Sequence, residues 1–443
     1  MFTNLGHANA FGVYESYYER VYLSHESSST ISWIGSVQIS CLFVFGLITG
    51  PLFDAGKFRH IMIGSTILLT FCNLMLSFAK PNAFYQIFLS QGIGMGLAMG
   101  ATYSPSYAIC SHHFRRKRGF AMGLVASGGA VGGLIQPIML NHLLNERGLS
   151  FGNAIRINMA MNAFLFIFAN FLMKTKHAAV GGVKKSPVGG RGRMMMRFMT
   201  QPAYLSVTLG LIFNLFGLFF PVIYLQLLST TKGLPENFSF YSISILNGVS
   251  AFGRILPNLL SDRFGAFNMF IPFTFATGLI LLSILAVNSI AGVVSVAIFY
   301  GFFSGAYIAL SSAVLASLAD NDGEIGARIG LASAFSAISS VAGPPINGVL
   351  LGSSFNWTPP ILFSGFAILA SGICHSVGRW FVYKKAKAEA LRDAEGLESV
   401  DMSVDKTRVG TPASGSFEES KKSTESDSES DTEKGSVHVQ EVV

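Results

Sequence analysis

Charge is what this sequence has least of. Lys, Arg, Asp and Glu make up 12% of its 443 residues, about half the roughly 25% of an ordinary soluble domain. A chain so poor in charge cannot clothe a large water-facing surface. Cysteine is scarce as well. Cys41, Cys72, Cys110 and Cys374 all lie in or at the ends of apolar stretches, and none has a CxxC partner. Neither a disulfide framework nor a zinc site is therefore indicated, and the four read as buried, reduced thiols. HExxH, a nucleophile–base pair, a metal-ligand cluster and the GxxxxGK[ST] phosphate loop are also missing. Their absence speaks against an enzyme and against any bound cofactor. The glycine run "QGIGMG" (91–96) has no strand before it and does not make a dinucleotide fingerprint.

What is there is apolar. Half of the residues are hydrophobic, with 39 Phe and 47 Gly, and glycine is more frequent in membrane helices than in soluble ones. Stretches long enough to cross a bilayer recur with short polar breaks: Ile31–Phe53, Ile61–Ala79, Ala83–Cys110, Phe120–Leu144 and Ser150–Met173, then Ala203–Leu228, Phe238–Leu260, Phe267–Val287, Ala291–Leu318, Ile329–Leu351 and Pro360–Val382. "MFTNLGHANAFGVY" at the start suggests a twelfth span, the outer part of a first helix whose beginning is missing; it lacks the basic region of a signal peptide. The spans fall into two sets of six, separated by a basic linker containing Lys174, Lys176, Lys184, Lys185, Arg191, Arg193 and Arg197. From about Lys384 the chain is polar, "EESKKSTESDSESDTEK" being typical, and disorder is expected there. Its Ser and Thr beside acids are candidate phosphorylation sites. The expected division is thus 1–173, a first transmembrane half; 174–202, the linker; 203–383, a second half; and 384–443, an acidic, Ser-rich tail.

The cations orient the chain. With alternate loops facing the cytoplasm, fifteen Lys and Arg lie inside, against Arg20, Lys80, Arg147 and Lys232 outside, which satisfies the positive-inside rule. The sequons at Asn237 and Asn356 then fall outside as weak glycosylation candidates. The cluster "HHFRRKRGFAMGLVASGG" (112–129) is an inward anchor followed by a helix-packing glycine face; it is flanked by apolar spans, so a nucleic-acid groove is not expected. Two loops six spans apart resemble each other. "GPLFDAGKFRH" carries Asp54 and Lys57, and "LPNLLSDRFGAF" carries Asp262 and Arg263; with Arg116, Lys117 and Arg118 they are candidates for an inner gate. Such six-span repeats are the pattern of a major facilitator transporter.

Ionisable residues deep in a span are costly and mark candidate sites. Arg254 is the foremost, with Asn247, Gln38 and Tyr307 as candidate solute contacts. Tyr103, Gln91, Gln136, Asn214 and Tyr300 are further polar residues able to line a cavity. Arg156 is placed near an outer end, where it can snorkel, and His375 reads as a packed core histidine.

The 112–129 stretch resembles the fifth-span signature of the monocarboxylate transporter family, with His113, Phe114, Arg116, Lys117, Arg118, Ala121, Gly123 and Gly128 on its motif positions. "NAFGVYESYY", "ISWIGSVQ" and "GPLFDAGKFR" are similar to the fungal branch, and the resemblance spans roughly residues 7–384. It implies a twelve-helix, all-α polytopic protein of the major facilitator fold, working by alternating access and often moving a carboxylate with a proton. The family's eighth-span arginine corresponds to Arg254. Its aspartate one turn earlier is Ser250 here, and the lysine of many animal members falls at Asn9, so the family's proton coupling does not carry over. The expectation is a multi-pass transporter, placed in the plasma membrane with a cytoplasmic C-terminus. It would move a small organic solute, a carboxylate or related metabolite, with H+ as a candidate second partner and the lipid bilayer as its surroundings. The alternatives are an exporter of a secondary metabolite and a non-transporting sensor.

Overall fold

The computed structural model describes residues 1–114, 117–174, 190–320, 324–352 and 355–408. Arg115, Arg116, the middle of the linker and the tail beyond 408 lie outside these residues. The chain divides into two units, Met1–Arg379 and the segment from Trp380 onwards.

All regular structure among the described residues is helical, which suits a lipid solvent, since helices satisfy backbone N–H and C=O within one segment. Twelve helical columns follow in order. The first is α1 (Phe2–Asn9) and α2 (Phe11–Tyr17) with a wide turn at Tyr18–Tyr22, and the second is α3 (Ser28–Val44) and α4 (Gly46–Asp54). Next come α5 (Phe58–Ser77); α6 (Phe84–Ile87), which runs through a π-helical stretch Phe88–Met95 into α7 (Gly96–His113); α8 (Arg118–Asn141); and α9 (Phe151–Leu172). After the short α10 (Gly190–Met199), the remaining six are α11 (Pro202–Leu218) with α12 (Phe220–Thr231), α13 (Glu236–Phe264), α14 (Ala266–Ser283), α15 (Ile290–Ser317), α16 (Ile325–Leu351) and α17 (Thr358–Arg408). Among the described residues, ten columns are long and apolar enough to cross a membrane. The other two are the interrupted first column and the π-distorted fourth.

Large apolar side chains face outward as well as filling the core, and polar side chains are buried among them. Phe164, Phe171, Ile67 and Val349 are exposed, while Asn73, Asn158, Asn214 and Gln91 are fully buried. The first six columns pack on the last six along two seams, α8 against α13 and α3–α4 against α16. Glycine makes both seams close. A Cβ on Gly123 would stand 2.7 Å from the Asn258 Cβ, and one on Gly326 2.7 Å from the Gly50 carbonyl oxygen. At the two repeated loops glycine also supplies backbone freedom: Gly56 and Gly265 have φ of 79° and 87°, a region that side chains disfavour.

Two departures from the sequence expectation concern the ends of the halves. The linker holds the helix α10, where "RGRMMMRFM" alternates cations with large apolar groups and buries Phe198. Residues 384–408, expected to be disordered, continue α17 as helix. Ala, Lys, Glu and Leu dominate this stretch; they are strong helix formers, and Lys385 and Glu389 pair at 3.9 Å across one turn.

Candidate functional site

A cavity of about 90 Å³ lies between the two six-column bundles. Its walls follow helical periodicity. α13 contributes Asn247, Ser250 and Arg254, α15 contributes Ser304, Tyr307 and Ser311, and α16 contributes Ile329, Ser333 and Ser336. Spacings of three and four residues put each set on one helix face. The first bundle supplies Leu5 and Asn9 from α1, Phe43 from α3 and Tyr103 from α7, and α11 adds Leu211, Leu215 and Leu218. The result is an apolar chamber with a few convergent polar groups, the usual make-up of a small-molecule site.

Among the described residues Arg254 is the one cation that lines it, and it is 3% exposed. Its Nη1 donates to the Ala126 carbonyl of α8, 2.7 Å away in the opposite bundle, while its Nε finds no partner within the protein. Asn247 repeats the crossing one heptad away, its Nδ2 donating to the Gly133 carbonyl at 3.3 Å. The Tyr307 hydroxyl is buried without a hydrogen-bond partner, its ring stacked 4.9 Å from Phe270. Arg254 Nε and Tyr307 Oη are thus unsatisfied polar groups at one cavity, a costly arrangement unless something polar joins them. Gln38 does not line this cavity; it is buried in α3 beside Gly96.

The two related loops close the seams at one end of the molecule. Asp54, ending α4, accepts from the backbone N–H groups of Gly326 (3.2 Å) and Ala327 (2.8 Å) at the start of α16. Asp262, near the end of α13, accepts from Gly119 (2.7 Å) and Phe120 (3.0 Å) at the start of α8. Each carboxylate caps a helix of the other bundle, where free N–H groups and the helix dipole favour negative charge. Lys57 and Arg263 form no ion pair among the described residues. Lys117 and Arg118 sit at the mouth of α8, and Arg116 lies outside the described residues. Of the sequons, the Asn237 side chain is outside them too, and Asn356 is exposed and accepts from Thr358 N–H.

Sequence reasoning passed over Arg328, counted only as one inward cation. It is fully buried at the start of α16. Its guanidinium donates to Gln201 at 2.8 Å, meets Glu324 at 3.3 Å and Asp320 at 3.6 Å, and lies over the Phe198 ring at 4.4 Å. The serine face of α15 and α16 was also missed, although its three-and-four spacing is visible in "SGAYIALSS" and "LASAFS".

Two six-helix bundles around a central cavity, related by repeated loops, are matched by a family model. The model of the Major Facilitator Superfamily covers residues 3–298 and 258–422. The chain belongs to that superfamily. Among relatives of this facilitator, the Aspyridones efflux protein apdF of Emericella nidulans is 34% identical over 374 residues, 84% of this chain and 74% of that protein. The Agnestins efflux protein AgnL12 of Paecilomyces divaricatus is 32% identical over 372 residues, 84% and 83% of the respective chains. The fold recurs in the human organic anion transporter MFSD10, with a TM-score of 0.66 at 14% identity over 84% of this chain and 98% of that one. The protein is accordingly a multi-pass membrane transporter of the major facilitator fold.

Proposed function

We propose that this facilitator exports a small organic metabolite by alternating access, through the cavity at Arg254. The carrying observation is that Arg254 both lines the cavity and reaches across it to the Ala126 carbonyl of the other bundle. A solute bearing a carboxylate or another anionic oxygen competes for that guanidinium, and so acts on the contact that joins the halves. The resemblance to monocarboxylate transporters supports an anionic group on the solute; the efflux roles in the names of two relatives support the outward direction over carboxylate uptake. Asn247 and Tyr307 orient the solute, and Asp54 and Asp262 hold the gate at the cytoplasmic end. In this reading residues 1–173 and 203–383 are the moving halves, the protein sits in the plasma membrane, and the C-terminus is cytoplasmic.

The test compares metabolites inside and outside cells with and without the protein. Compounds depleted from the medium and retained inside on deletion establish export. Compounds that accumulate outside on deletion establish uptake. A purified protein that binds such a compound in liposomes without moving it is a sensor.

A further inference from the structure

The polar groups of the cavity are not alike, and its walls fit different parts of a solute. On α13, Arg254 presents a guanidinium that can only donate, and its Nε has no partner within the protein. On α15 and α16 the cavity is lined by serine hydroxyls that bond to their own helices. Ser311 Oγ donates to the Ile308 carbonyl and Ser336 Oγ to the Ala332 carbonyl, each at 2.8 Å. Ser304 turns the same way, towards the Gly301 carbonyl at 3.5 Å. A helical serine that donates to its preceding turn keeps lone pairs free. With those bonds in place, the oxygens accept from a solute and cannot donate to it. Tyr307 lies on the same face of α15, between Ser304 and Ser311. It is 2% exposed, and its hydroxyl is without a partner. A buried polar group left so is costly until something polar joins it, which marks this face as one that a ligand completes.

We propose that Ser311 and Ser336 determine specificity, by selecting solutes that carry a hydrogen-bond donor besides the anionic oxygen held at Arg254. The inference rests on the solute site proposed above and names the chemistry that site takes: an apolar body, one anionic oxygen, and a free hydroxyl or N–H. The apolar body meets Leu211, Leu215 and Leu218 of α11, which offer it no polar partner.

The selection follows from what each substituent does at the serine oxygens. A hydroxyl or N–H on the solute donates to a waiting lone pair. An ether or ketone sets lone pair against lone pair, and a methyl covers the oxygens without bonding them. Both leave buried acceptors cut off from water, which a site built to bond a donor disfavours. One neutral hydrogen bond changes affinity by about 2- to 12-fold. A metabolite with its hydroxyl masked by methylation is therefore a poorer solute than its free parent, although its size and charge are nearly the same.

Substituted benzoates test the wall on the full chain in lipid nanodiscs at neutral pH, where a phenol keeps its proton. The probes are 3- and 4-hydroxybenzoate, the size-matched methylbenzoates, and the methoxybenzoates, which accept but do not donate. In the wild-type protein at least one hydroxybenzoate should bind several-fold more tightly than its methyl and methoxy counterparts. In the double variant Ser311→Ala, Ser336→Ala that preference should vanish while methylbenzoate affinity stays at the wild-type value, which also shows that the site still folds. The proposal is overturned if the wild-type protein shows no such preference, if it binds none of the probes at millimolar concentration, or if the double variant keeps the preference. In cells, the metabolites that the wild-type protein exports should carry a free O–H or N–H besides the acid, counted by mass after exchange into deuterated solvent. Their export should slow several-fold in the double variant; exported compounds with no such donor, or an unchanged rate, overturn the selection. A wild-type protein that exports nothing refutes the transport reading, while the benzoate preference still decides what the serine wall binds.

Discussion

Arg254 and Ala126 are joined across the two halves by a 2.7 Å hydrogen bond from guanidinium to backbone carbonyl. The bond belongs to a register that runs the length of the α8–α13 seam. Asn247 meets Gly133, Arg254 meets Ala126, Gly123 lies on Asn258, and Asp262 caps Gly119. One antiparallel helix pair therefore carries cavity contacts at one level and a carboxylate cap at another. A change in how Arg254 is bonded bears on the same interface that Asp262 closes.

Replacing Arg254 by Gln tests the solute role. A hydrogen bond from a charged donor contributes about 1.5–3 kcal/mol, so loss of the guanidinium should weaken anion handling by roughly 10- to 150-fold. Export of the metabolites identified by profiling should fall by that factor at equal protein in the membrane. Unchanged export at equal expression removes Arg254 from the solute path.

Tyr307→Phe separates function from structure. Its hydroxyl is buried without a partner, an arrangement that costs about 1–3 kcal/mol. Deleting the oxygen should leave the melting temperature of detergent-purified protein equal or higher. If the hydroxyl serves the solute, affinity should nonetheless drop by about 2- to 12-fold, the worth of one neutral hydrogen bond. A lower melting temperature would show that the oxygen serves the fold.

Span number and order were legible in the sequence because lipid leaves a long apolar run few options besides a helix. Arg254 stood out for the same reason, as a cation far from a span end. Asp54 and Asp262 were legible as related loop residues, but their partners were not: each caps a helix more than 140 residues away in sequence, and backbone N–H groups leave no residue signature. Gln38 shows the opposite limit. Its polarity suggests a cavity wall, yet polarity gives no direction; the side chain is buried away from the cavity, and its backbone packs on Gly96. The helical run at 384–408 was obscured by charge, which marks solvent exposure without distinguishing helix from coil.

Glycine substitutions should distinguish the moving seams from the fixed ones. Gly301 packs within one half, where a Cβ would stand 3.2 Å from the Leu246 Cα. Gly123 packs between halves. Overpacking costs about 1–3 kcal/mol wherever the neighbours cannot part. Gly301→Val should lower the melting temperature, since its neighbours on α13 belong to the same half and cannot part when the halves do. Gly123→Val should leave it closer to wild type and instead open the seam, read as faster thiol labelling of a cysteine placed at Ser333. Equal melting losses for both would mean that the α8–α13 seam is as fixed as the bundle interior.

The two carboxylate latches should act together. A capping side chain contributes about 0.5–2 kcal/mol, so Asp54→Ala and Asp262→Ala should each raise the population open at that end by roughly 2- to 30-fold. In a background without Cys41, Cys72, Cys110 and Cys374, the labelling rate of a Ser333→Cys thiol by a membrane-impermeant reagent from the cytoplasmic side reports that population. Asp54 sits on the α4–α16 seam and Asp262 on the α8–α13 seam, and parting the bundles breaks both. The effects should therefore multiply in the double variant. If either substitution alone gives the full rate, the two seams open independently, and the gate does not move as one body.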